Sequence, residues 1–537
     1  MGSHVIFVIG ASSIFGLRIQ SYVTSEPYGT CVANHSDTPN SALAAEMVPD
    51  KGLAAGSIGL AGATAMGLAS TAPVFSLAAT IGFVAAVAGV KAPACMLVAF
   101  IPMLFTAYAY RELNAAVPDC GTTFTWATKA FGPHAGWMGG WAVAVTGIVF
   151  LGNAAEVTGQ YLFQILGLDG LVDNQFAVAC VGVVFILVMA YIAYRGINLA
   201  AWTQMVLVVL QYLAMAMLAV AAFGAVYLTH SNSASLTPEL SWFSPFGMPL
   251  GDFIEATLLC LFIYWGWDAI LAINEETKDP KKTPGRAALI ATVILLVGYL
   301  SVTTAMVAYA GLGDTGTGLN NVAIQDDVFH AIALPLIGPW GTQFILVVTL
   351  LSAAASAQTT ILPTARGTLS MATYKALPQQ FARVHPRYMT PGFSTFVTCA
   401  IGLSYYVLMS FISNSVLQDT ILSISLAIAF YYALTGFSCV WYFRREAFTS
   451  GQAFVMKLLL PLLGGAMLAF AFIASCIQMF SPSYTGTDIA GIGSVFIIGV
   501  GSLAVGIVVM LLWQLRQPEF FRGETLRKDT PVLAPDV

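Results

Sequence analysis

Residues 59–83 read GLAGATAMGLASTAPVFSLAATIGF, an apolar stretch without a single charged residue. It is long enough to cross a lipid bilayer, because a spanning helix needs about 20 apolar residues. Its centre holds Gly67, a poor helix former, and Pro73, which lacks an amide hydrogen and leaves the carbonyl of Ala69 without its helical donor. The sequence therefore predicts a membrane helix that is interrupted between Gly67 and Pro73.

The composition of the whole chain also indicates a membrane protein. Of 537 residues, 58% are hydrophobic and only 9% are charged, and the mean hydropathy is +0.80. Soluble domains carry about 25% charged residues, so lipid is the expected partner of most of the surface. The net charge of −5 offers no basic surface for nucleic acid, and nucleic-acid binding is not expected.

The distribution of apolar residues predicts an all-α polytopic protein with twelve transmembrane helices. The predicted spans cover 56–89, 93–116, 136–166, 175–194, 199–229, 251–274, 286–312, 341–373, 392–412, 416–443, 456–480 and 492–514.

The positions of Lys and Arg predict the orientation of these spans. With twelve helices, 20 of the 21 basic residues fall on one side, and only Lys91 falls on the other. The long opposite loops, 230–250 and 313–340, contain no Lys or Arg. Because basic residues accumulate on the cytoplasmic side, both termini are expected in the cytoplasm, with the protein in the plasma or inner membrane.

A second interruption is predicted in the sixth span. Residues 261–274 read LFIYWGWDAILAIN, with Gly266 between two tryptophans and Asp268 directly after them. Interruptions five spans apart are typical of inverted-repeat transporters, whose first and sixth helices break at the bilayer midplane. We therefore expect a first repeat over 51–229 and a second over 230–445, the two-times-five-helix arrangement named after the transporter LeuT.

The rest of the chain lies outside these repeats. Residues 446–515 are expected to form the last two helices, and 516–537 a cytoplasmic tail. Residues 1–50 are expected to be a disordered cytoplasmic arm. The sequence leaves open whether residues 1–46 belong to the native protein, and Met47 is a plausible alternative start.

The interrupted helices predict a binding site at the midplane. Helix N-termini present free amide donors to anionic groups, so a substrate carboxylate would suit Ser70, Thr71 and Ala72. The alternative is a proline kink without a ligand; the matched pair of interruptions favours the site. The predicted substrate-binding residues in the two interruptions are Gly67, Ala69, Ser70, Thr71, Ala72, Phe262, Ile263, Tyr264, Trp265, Gly266 and Asp268.

Three further blocks resemble the amino acid–polyamine–organocation transporter family. Residues 110–126, YRELNAAVPDCGTTFTW, precede Phe131-Gly-Pro133 and resemble the loop after span 2. Residues 274–287, NEETKDPKKTPGRA, resemble the block after span 6. The third block follows span 8 and comprises Arg366, Met371-Ala372, Ala376-Leu-Pro378, Phe381, Val384-His385 and Thr390-Pro391. With the twelve predicted spans around these blocks, the resemblance covers roughly residues 52–515.

This resemblance implies a permease that moves amino acids or related amines by alternating access. It also implies an aromatic residue near Phe262 or Trp265 that covers the substrate. The first interruption departs from the family's usual Gly-Ser-Gly-Ile-Phe pattern, Thr122 replaces its second glycine and Phe124 its tyrosine. These departures bear on the substrate rather than on the fold.

Polar residues within the spans are the remaining candidates. Asp268 is costly in a bilayer, which favours a functional role, although it could instead cap the broken helix. Thr146, Asn153, Glu156 and Gln160 share one face of span 3. Asn153 and Glu156 are predicted to bind substrate, Glu156 as acceptor for an ammonium group or as a proton carrier, with helix–helix packing as the alternative.

The sequence leaves open whether transport is coupled to sodium, is coupled to protons, or proceeds by exchange of one solute for another. Family members that use sodium bind it with span 1 carbonyls and span 8 hydroxyls, here Ser352 and Ser356, while Glu156 or Asp268 could carry a proton. Span 5 lacks the lysine that several proton-coupled relatives use. No cofactor and no metal site are expected, and the oligomeric state stays open.

The sequence also bears on three alternative functions. A polyamine or cationic amine transporter, or antiporter, of the same fold would rely on Glu156 and Asp268. A channel-like pore is disfavoured, because channels commonly assemble from repeated subunits with few spans each. An enzyme is not expected, because the sequence contains no HExxH, GxSxG or P-loop motif.

Overall fold

The computed structural model describes residues 51–531, except 197–199, 413–415, 483–487 and 490. The predicted arm over 1–50 lies outside the described residues, as do 532–537 of the predicted tail. The described part is built from α-helices joined by loops of very different lengths, some of which contain short 3₁₀- or π-helical turns, and it contains one hairpin of two-residue strands. The helices are α1 Leu60–Ser70, α2 Pro73–Ala78, α3 Ile81–Ala88, α4 Ala92–Ala116, α5 Thr123–Phe131, α6 Pro133–Ile165, α7 Gln175–Tyr194, α8 Ala200–Gly224, α9 Leu250–Tyr264, α10 Ala269–Ala272, α11 Thr283–Ala310, α12 Val328–Thr373, α13 Gly392–Ile412, α14 Val416–Tyr442, α15 Gly451–Phe454, α16 Leu460–Met479 and α17 Ser494–Arg516; the hairpin pairs β1 Asp488–Ile489 with β2 Ile492–Gly493.

Eleven helical segments of the described chain are long and apolar enough to cross a membrane. Most of the predicted spans agree with these helices to within five residues. The exceptions are the first two, where the segments are Leu60–Ala78 and Ile81–Ala116, the sixth and the eighth. Helix α12 begins at Val328 and consists of two helical parts that meet at Gly338, where φ is +72° and the backbone is not helical. The predicted eighth span, 341–373, matches the second part, and the first part was not predicted. Pro335 and Pro339 flank Gly338, and neither has an amide hydrogen to donate. These residues interrupt the apolar helical pattern, so the sequence did not predict the first part of α12.

The sixth predicted span is not among these eleven segments because it is broken. Helix α9 has 15 residues and ends at Tyr264, and α10 has only four, Ala269–Ala272. Together with the turn between them they occupy the predicted region 251–274. The first span is broken as well, between α1 and α2.

Small residues allow the central helices to approach closely. A β-carbon at Gly147 of α6 would lie 2.1 Å from the hydroxyl of Thr364 in α12. A β-carbon at Gly436 of α14 would lie 2.8 Å from the carbonyl oxygen of Pro461 in α16. Such close backbone contact drives helix association where lipid provides no hydrophobic force.

The outer helices carry the exposed apolar side chains. Trp202 of α8, Phe396 of α13 and Leu515 of α17 are 72%, 72% and 84% exposed. Large exposed apolar surfaces of this kind suit contact with acyl chains. The surface is therefore that of an integral membrane protein.

Candidate functional site

The first helix breaks where Pro73 was expected to interrupt it. Helix α1 ends at Ser70, Ala72 adopts a left-handed conformation with φ 45°, and α2 begins at Pro73. The amides of Thr71 and Ala72 donate to the carbonyls of Gly67 and Ala69. The expectation of free amides at these two residues, and of a free Ala69 carbonyl, is therefore wrong, because the end of α1 tightens and uses them.

The donors of the second half lie further along the chain. Pro73 has no amide hydrogen, so Val74 is the first residue of α2 that can donate. The next amide, that of Phe75, faces the hydroxyl oxygen of Ser352 at 3.4 Å. The Ser76 hydroxyl donates to the carbonyl of Thr71 at 2.6 Å, and the Thr71 hydroxyl donates to that of Leu68 at 2.7 Å.

The second break depends on a glycine. Trp265 is extended, Gly266 has φ +117°, and Asp268 occupies the N-cap of α10. A β-carbon at Gly266 would lie 2.7 Å from the carbonyl oxygen of Ser70 and 2.9 Å from the amide nitrogen of Thr71. The two breaks predicted separately from the sequence are thus in direct contact.

A second crossing of the two broken helices lies nearby. A β-carbon at Gly67 would lie 2.2 Å from the end of the Ile270 side chain in α10. Glycine is needed here because it lets α1 and α10 approach, rather than to weaken α1. The buried positions Ala69 and Ser70 lie between this crossing and the break.

Asp268 is linked to the aromatic residue before the break. The indole nitrogen of Trp265 donates to the hydroxyl oxygen of Tyr431 at 2.5 Å. The same hydroxyl donates to the Asp268 carboxylate at 3.0 Å. Tyr431 of α14, to which the sequence analysis assigned no role, therefore fixes both residues relative to each other.

Aromatic rings line one side of this arrangement. The ring centroid of Phe150 in α6 lies 5.4 Å from that of Trp265 and 6.2 Å from that of Phe75. Phe262 lies 6.5 Å from the same ring. Tyr264 instead packs on Tyr299 of α11, with ring centroids 5.2 Å apart. The buried Ile263 belongs to the apolar core.

The two predicted coupling serines contact both halves of the first helix. The Ser356 hydroxyl donates to the carbonyl of Ser70 at 2.6 Å, where α1 ends. Ser352, one turn earlier in α12, receives the amide of Phe75 and donates to Gln211 of α8 at 2.6 Å. Span 8 therefore supplies hydroxyls to the backbone groups that the break leaves unpaired.

The polar face of span 3 is placed elsewhere. Asn153 donates to the hydroxyl of Thr420 in α14 at 3.1 Å. Glu156 receives hydrogen bonds from Gln175 of α7, at 3.2 Å, and Tyr406 of α13, at 3.0 Å. Both residues are buried between helices, and these hydrogen bonds go to neither broken helix.

Comparison with known proteins decides the family. Residues 58–510 match the sequence profile of the amino acid permease family. The chain belongs to this family.

Relatives of this permease carry different solutes. It is 30% identical to the branched-chain amino acid permease BcaP of Lactococcus lactis over 252 residues, 43% of this chain and 53% of that protein. It thus matches about half the length of BcaP. It is 26% identical to the low-affinity putrescine importer PlaP of Escherichia coli, over 63% of this chain and 72% of that protein. It is 22% identical to the serine/threonine exchanger SteT of Bacillus subtilis, over 73% and 83%.

The permease also contains a buried cluster of charges that the sequence analysis missed. Lys51 donates to Asp119 and to Glu275, each at 2.7 Å, and its side chain is 1% exposed. The thiol of Cys120 lies 3.6 Å from the same ammonium. We refer to these four residues as the Lys51 cluster. Its two acids, Asp119 and Glu275, lie in two of the family-like blocks. Because charged residues are rare in this chain, their position there was the one feature of the sequence that could have indicated the cluster.

Burial and ion pairing have opposite effects on the pKa values of the Lys51 cluster. Burial alone would lower the pKa of Lys51, but Asp119 and the other negative groups outweigh it and raise this pKa well above the usual value. Burial would likewise raise the pKa of Asp119, yet Lys51 and several hydrogen bonds lower it to about 2. For Glu275, burial prevails and raises the pKa.

The Lys51 cluster joins segments that surround the broken helices. Asp119 and Cys120 precede α5, and Glu275 follows α10. The neighbouring Glu276 accepts two hydrogen bonds from Arg366 of α12, at 2.7 and 2.8 Å. Ligand atoms of Asp119, Cys120 and Glu275 lie within 4.8 Å of one another, and the Lys51 ammonium bonded to both carboxylates supplies the positive charge there.

Proposed function

We propose that this permease is a secondary transporter that carries an amino acid or a related amine across the cell membrane. The observation that carries the proposal is the contact of Gly266 with the backbone of Ser70 and Thr71, which brings two interrupted helices together inside the bundle. Irregular backbone in a membrane is tolerated where it is buried in protein or lines a cavity. Transport would then proceed by alternating access to this point.

The proposed architecture has twelve spans. The eleven long helical segments and the broken pair α9–α10 support this count together with the predicted pattern. The five-plus-five inverted repeat, over 51–229 and 230–445, and the cytoplasmic placement of both termini belong to the same proposal. The distribution of 20 basic residues on one side supports the orientation.

The proposed substrate bridges the two breaks. Its carboxylate would accept hydrogen bonds from the backbone amide of Val74, at the start of α2, and from that of Gly266. Its amine would lie toward Asp268, and the rings of Phe150 and Trp265 would pack on its side chain. The relatives that carry branched-chain amino acids and serine or threonine agree with such a zwitterion.

A polyamine or other organic cation is the second candidate. The Asp268 carboxylate beside the Trp265 ring favours it, because both attract an ammonium group. The putrescine importer among the relatives points the same way. Glu156 would bind such a cation only after its hydrogen bonds to Gln175 and Tyr406 are broken.

Coupling by sodium is favoured by Ser352 and Ser356. Their hydroxyls already lie at the carbonyl and amide ends of the first break, and hard cations bind such oxygen ligands. The experiment below also tests two alternatives. One is proton coupling through Asp268 or Glu156, and the other is exchange without a coupling ion.

Uptake by proteoliposomes tests the proposal. The purified permease is first screened for thermal stabilisation by amino acids and by diamines, since a ligand stabilises the folded state that binds it. Radiolabelled uptake of the best ligand is then measured with and without sodium or proton gradients. We expect saturable counterflow, which an open pore would not show, and loss of uptake in Asp268→Asn and Ser70→Leu with normal membrane insertion. Wild-type uptake in both variants would reject the site.

A further inference from the structure

The segment after the last span is folded against the protein. Residues 517–531, here called the strap, follow α17 and contain three large apolar side chains in an otherwise polar sequence. All three are buried: Phe520 is 0%, Leu526 1% and Phe521 8% exposed. The sequence had suggested only a cytoplasmic tail for this region.

Lys129, in the last turn of α5, binds the backbone of the strap. Its ammonium group donates to the carbonyl oxygens of Arg527 at 3.2 Å, Lys528 at 3.1 Å and Thr530 at 2.5 Å. An ammonium has three donors, and strap carbonyls take all three. The residue is only 6% exposed, and a buried charge is costly unless it is hydrogen-bonded in this way.

The strap is also attached to the end of α12. Glu519 forms an ion pair with Lys375, and the hydroxyl of Thr525 donates to the carbonyl of Tyr374 at 2.6 Å. The ring of Phe520 lies 5.4 Å from that of Phe124 in α5. The strap therefore connects α5 with the residues that follow α12.

Both attachment points lead to the Lys51 cluster. The hydroxyl of Tyr374 donates to the Asp119 carboxylate oxygen that also binds Lys51, at 3.0 Å and 2.7 Å. The other Asp119 oxygen accepts from Thr125 of α5 at 2.7 Å and from Ser370 of α12 at 2.7 Å. Asp119 is thus bonded at once to Lys51, to α5 and to the end of α12, so separation of α5 from α12 would break part of this hydrogen-bonded arrangement.

We propose that the strap is an intramolecular clamp, anchored by Lys129, that keeps α5 against the end of α12 and thereby stabilises the closed Lys51 cluster. Release of the strap lets this end of the bundle open more often. Any factor that competes for the strap, including charge-changing modification of its threonines, would then regulate the permease. The clamp goes beyond the proposed transport function and does not depend on which solute is carried.

Cys120 provides a direct readout of opening. Its side chain is fully buried, with the thiol 3.6 Å from the Lys51 ammonium and 3.6 Å from the carbonyl of Arg366. A maleimide reagent can reach this thiol only when the cluster opens. The labelling rate therefore measures the population of the open state.

The experiment labels the full-length protein in lipid nanodiscs with N-ethylmaleimide and follows each cysteine peptide by mass spectrometry. Lys129→Gln and Phe520→Ala are compared with the wild type. Arg522→Ala removes a charge from an exposed position of the same strap and serves as the matched control. Labelling of the same peptides after the protein has been unfolded in sodium dodecyl sulfate reports reagent activity.

We expect Cys120 to be labelled about fivefold faster or more in Lys129→Gln and in Phe520→Ala, as the loss of buried hydrogen bonds or packing implies. Arg522→Ala should match the wild type. Unchanged Cys120 labelling in both strap variants would overturn the proposal. An equal increase at Cys260, which is buried in α9, would show general loosening and would overturn it as well. Because no transport is measured, the result is independent of the proposed function.

Discussion

Gly266 lies so close to Ser70 that a β-carbon on the glycine would stand 2.7 Å from the serine carbonyl oxygen. The two residues are almost 200 positions apart, each in the break of a different helix. Their contact is possible only because Gly266 has no side chain and adopts φ +117°, a conformation that other residues rarely reach. The proposed function depends on this contact, and the first prediction tests it.

Gly266→Ala should abolish uptake while membrane insertion persists. The methyl group meets backbone rather than a mobile side chain, and a strained φ by itself costs about 1–3 kcal/mol. Gly316→Ala is the matched control, because Gly316 also has a positive φ, +61°, but nothing lies within 4 Å of its β-carbon position. Uptake from proteoliposomes measures both, and normal uptake by Gly266→Ala would contradict the prediction.

Tyr431→Phe should weaken substrate binding more than it lowers stability. It removes the hydroxyl that accepts from Trp265 and donates to Asp268, so the ring and the carboxylate lose their fixed relation. The loss of two hydrogen bonds, one of them to a charged group, predicts about a tenfold rise in KM for uptake. Tyr227→Phe, at a position 52% exposed, should leave KM unchanged. Equal KM values for the two variants would rule out this role for Tyr431.

Ser356→Ala should lower uptake, because the carbonyl of Ser70 loses its donor. Ser356→Thr keeps a hydroxyl and should retain most of the activity. If sodium binds there, the alanine variant should also need about tenfold more sodium for half-maximal uptake, which corresponds to about 1.4 kcal/mol of binding free energy. A sodium dependence that stays unchanged would exclude Ser356 as a ligand.

Asp119→Asn should destabilise the protein strongly at neutral pH. It removes one of the two carboxylates that bind the buried ammonium of Lys51, and breaking a buried ion pair typically costs about 3–5 kcal/mol. Asp314→Asn, in an exposed loop, is the control. Thermal unfolding in detergent measures both, and equal melting temperatures would contradict the prediction.

The pH dependence of the same contribution follows from the pKa of Asp119. Folding lowers that pKa from 3.8 to about 2, so the folded protein binds this proton less readily than the unfolded chain does. The stabilisation is complete above about pH 4 and is lost as the pH falls toward 2. The difference in melting temperature between wild type and Asp119→Asn should therefore stay constant from pH 6 to 8 and shrink below pH 4.

The sequence itself determined the membrane environment, the helices and the places where two of them break. These properties follow from local chemistry: apolar length sets the spans, and Pro73 and Gly266 interrupt the helical hydrogen bonding wherever the chain folds. The family-like blocks pointed to the amino acid permeases, and the sequence profile confirmed this. Residues 328–338 at the start of α12 were not predicted to be helical, because Pro335, Gly338 and Pro339 interrupt the apolar pattern there.

Only the tertiary structure decided which residues meet. Asp268 faces Tyr431 rather than Glu156, Ser356 reaches the carbonyl of Ser70, and Lys51 lies between Asp119 and Glu275. These pairings join residues from 68 to more than 200 positions apart, and no local pattern encodes them. They arise because a buried charge or backbone group must find a partner, and the packing of the helices alone determines which partner is within reach.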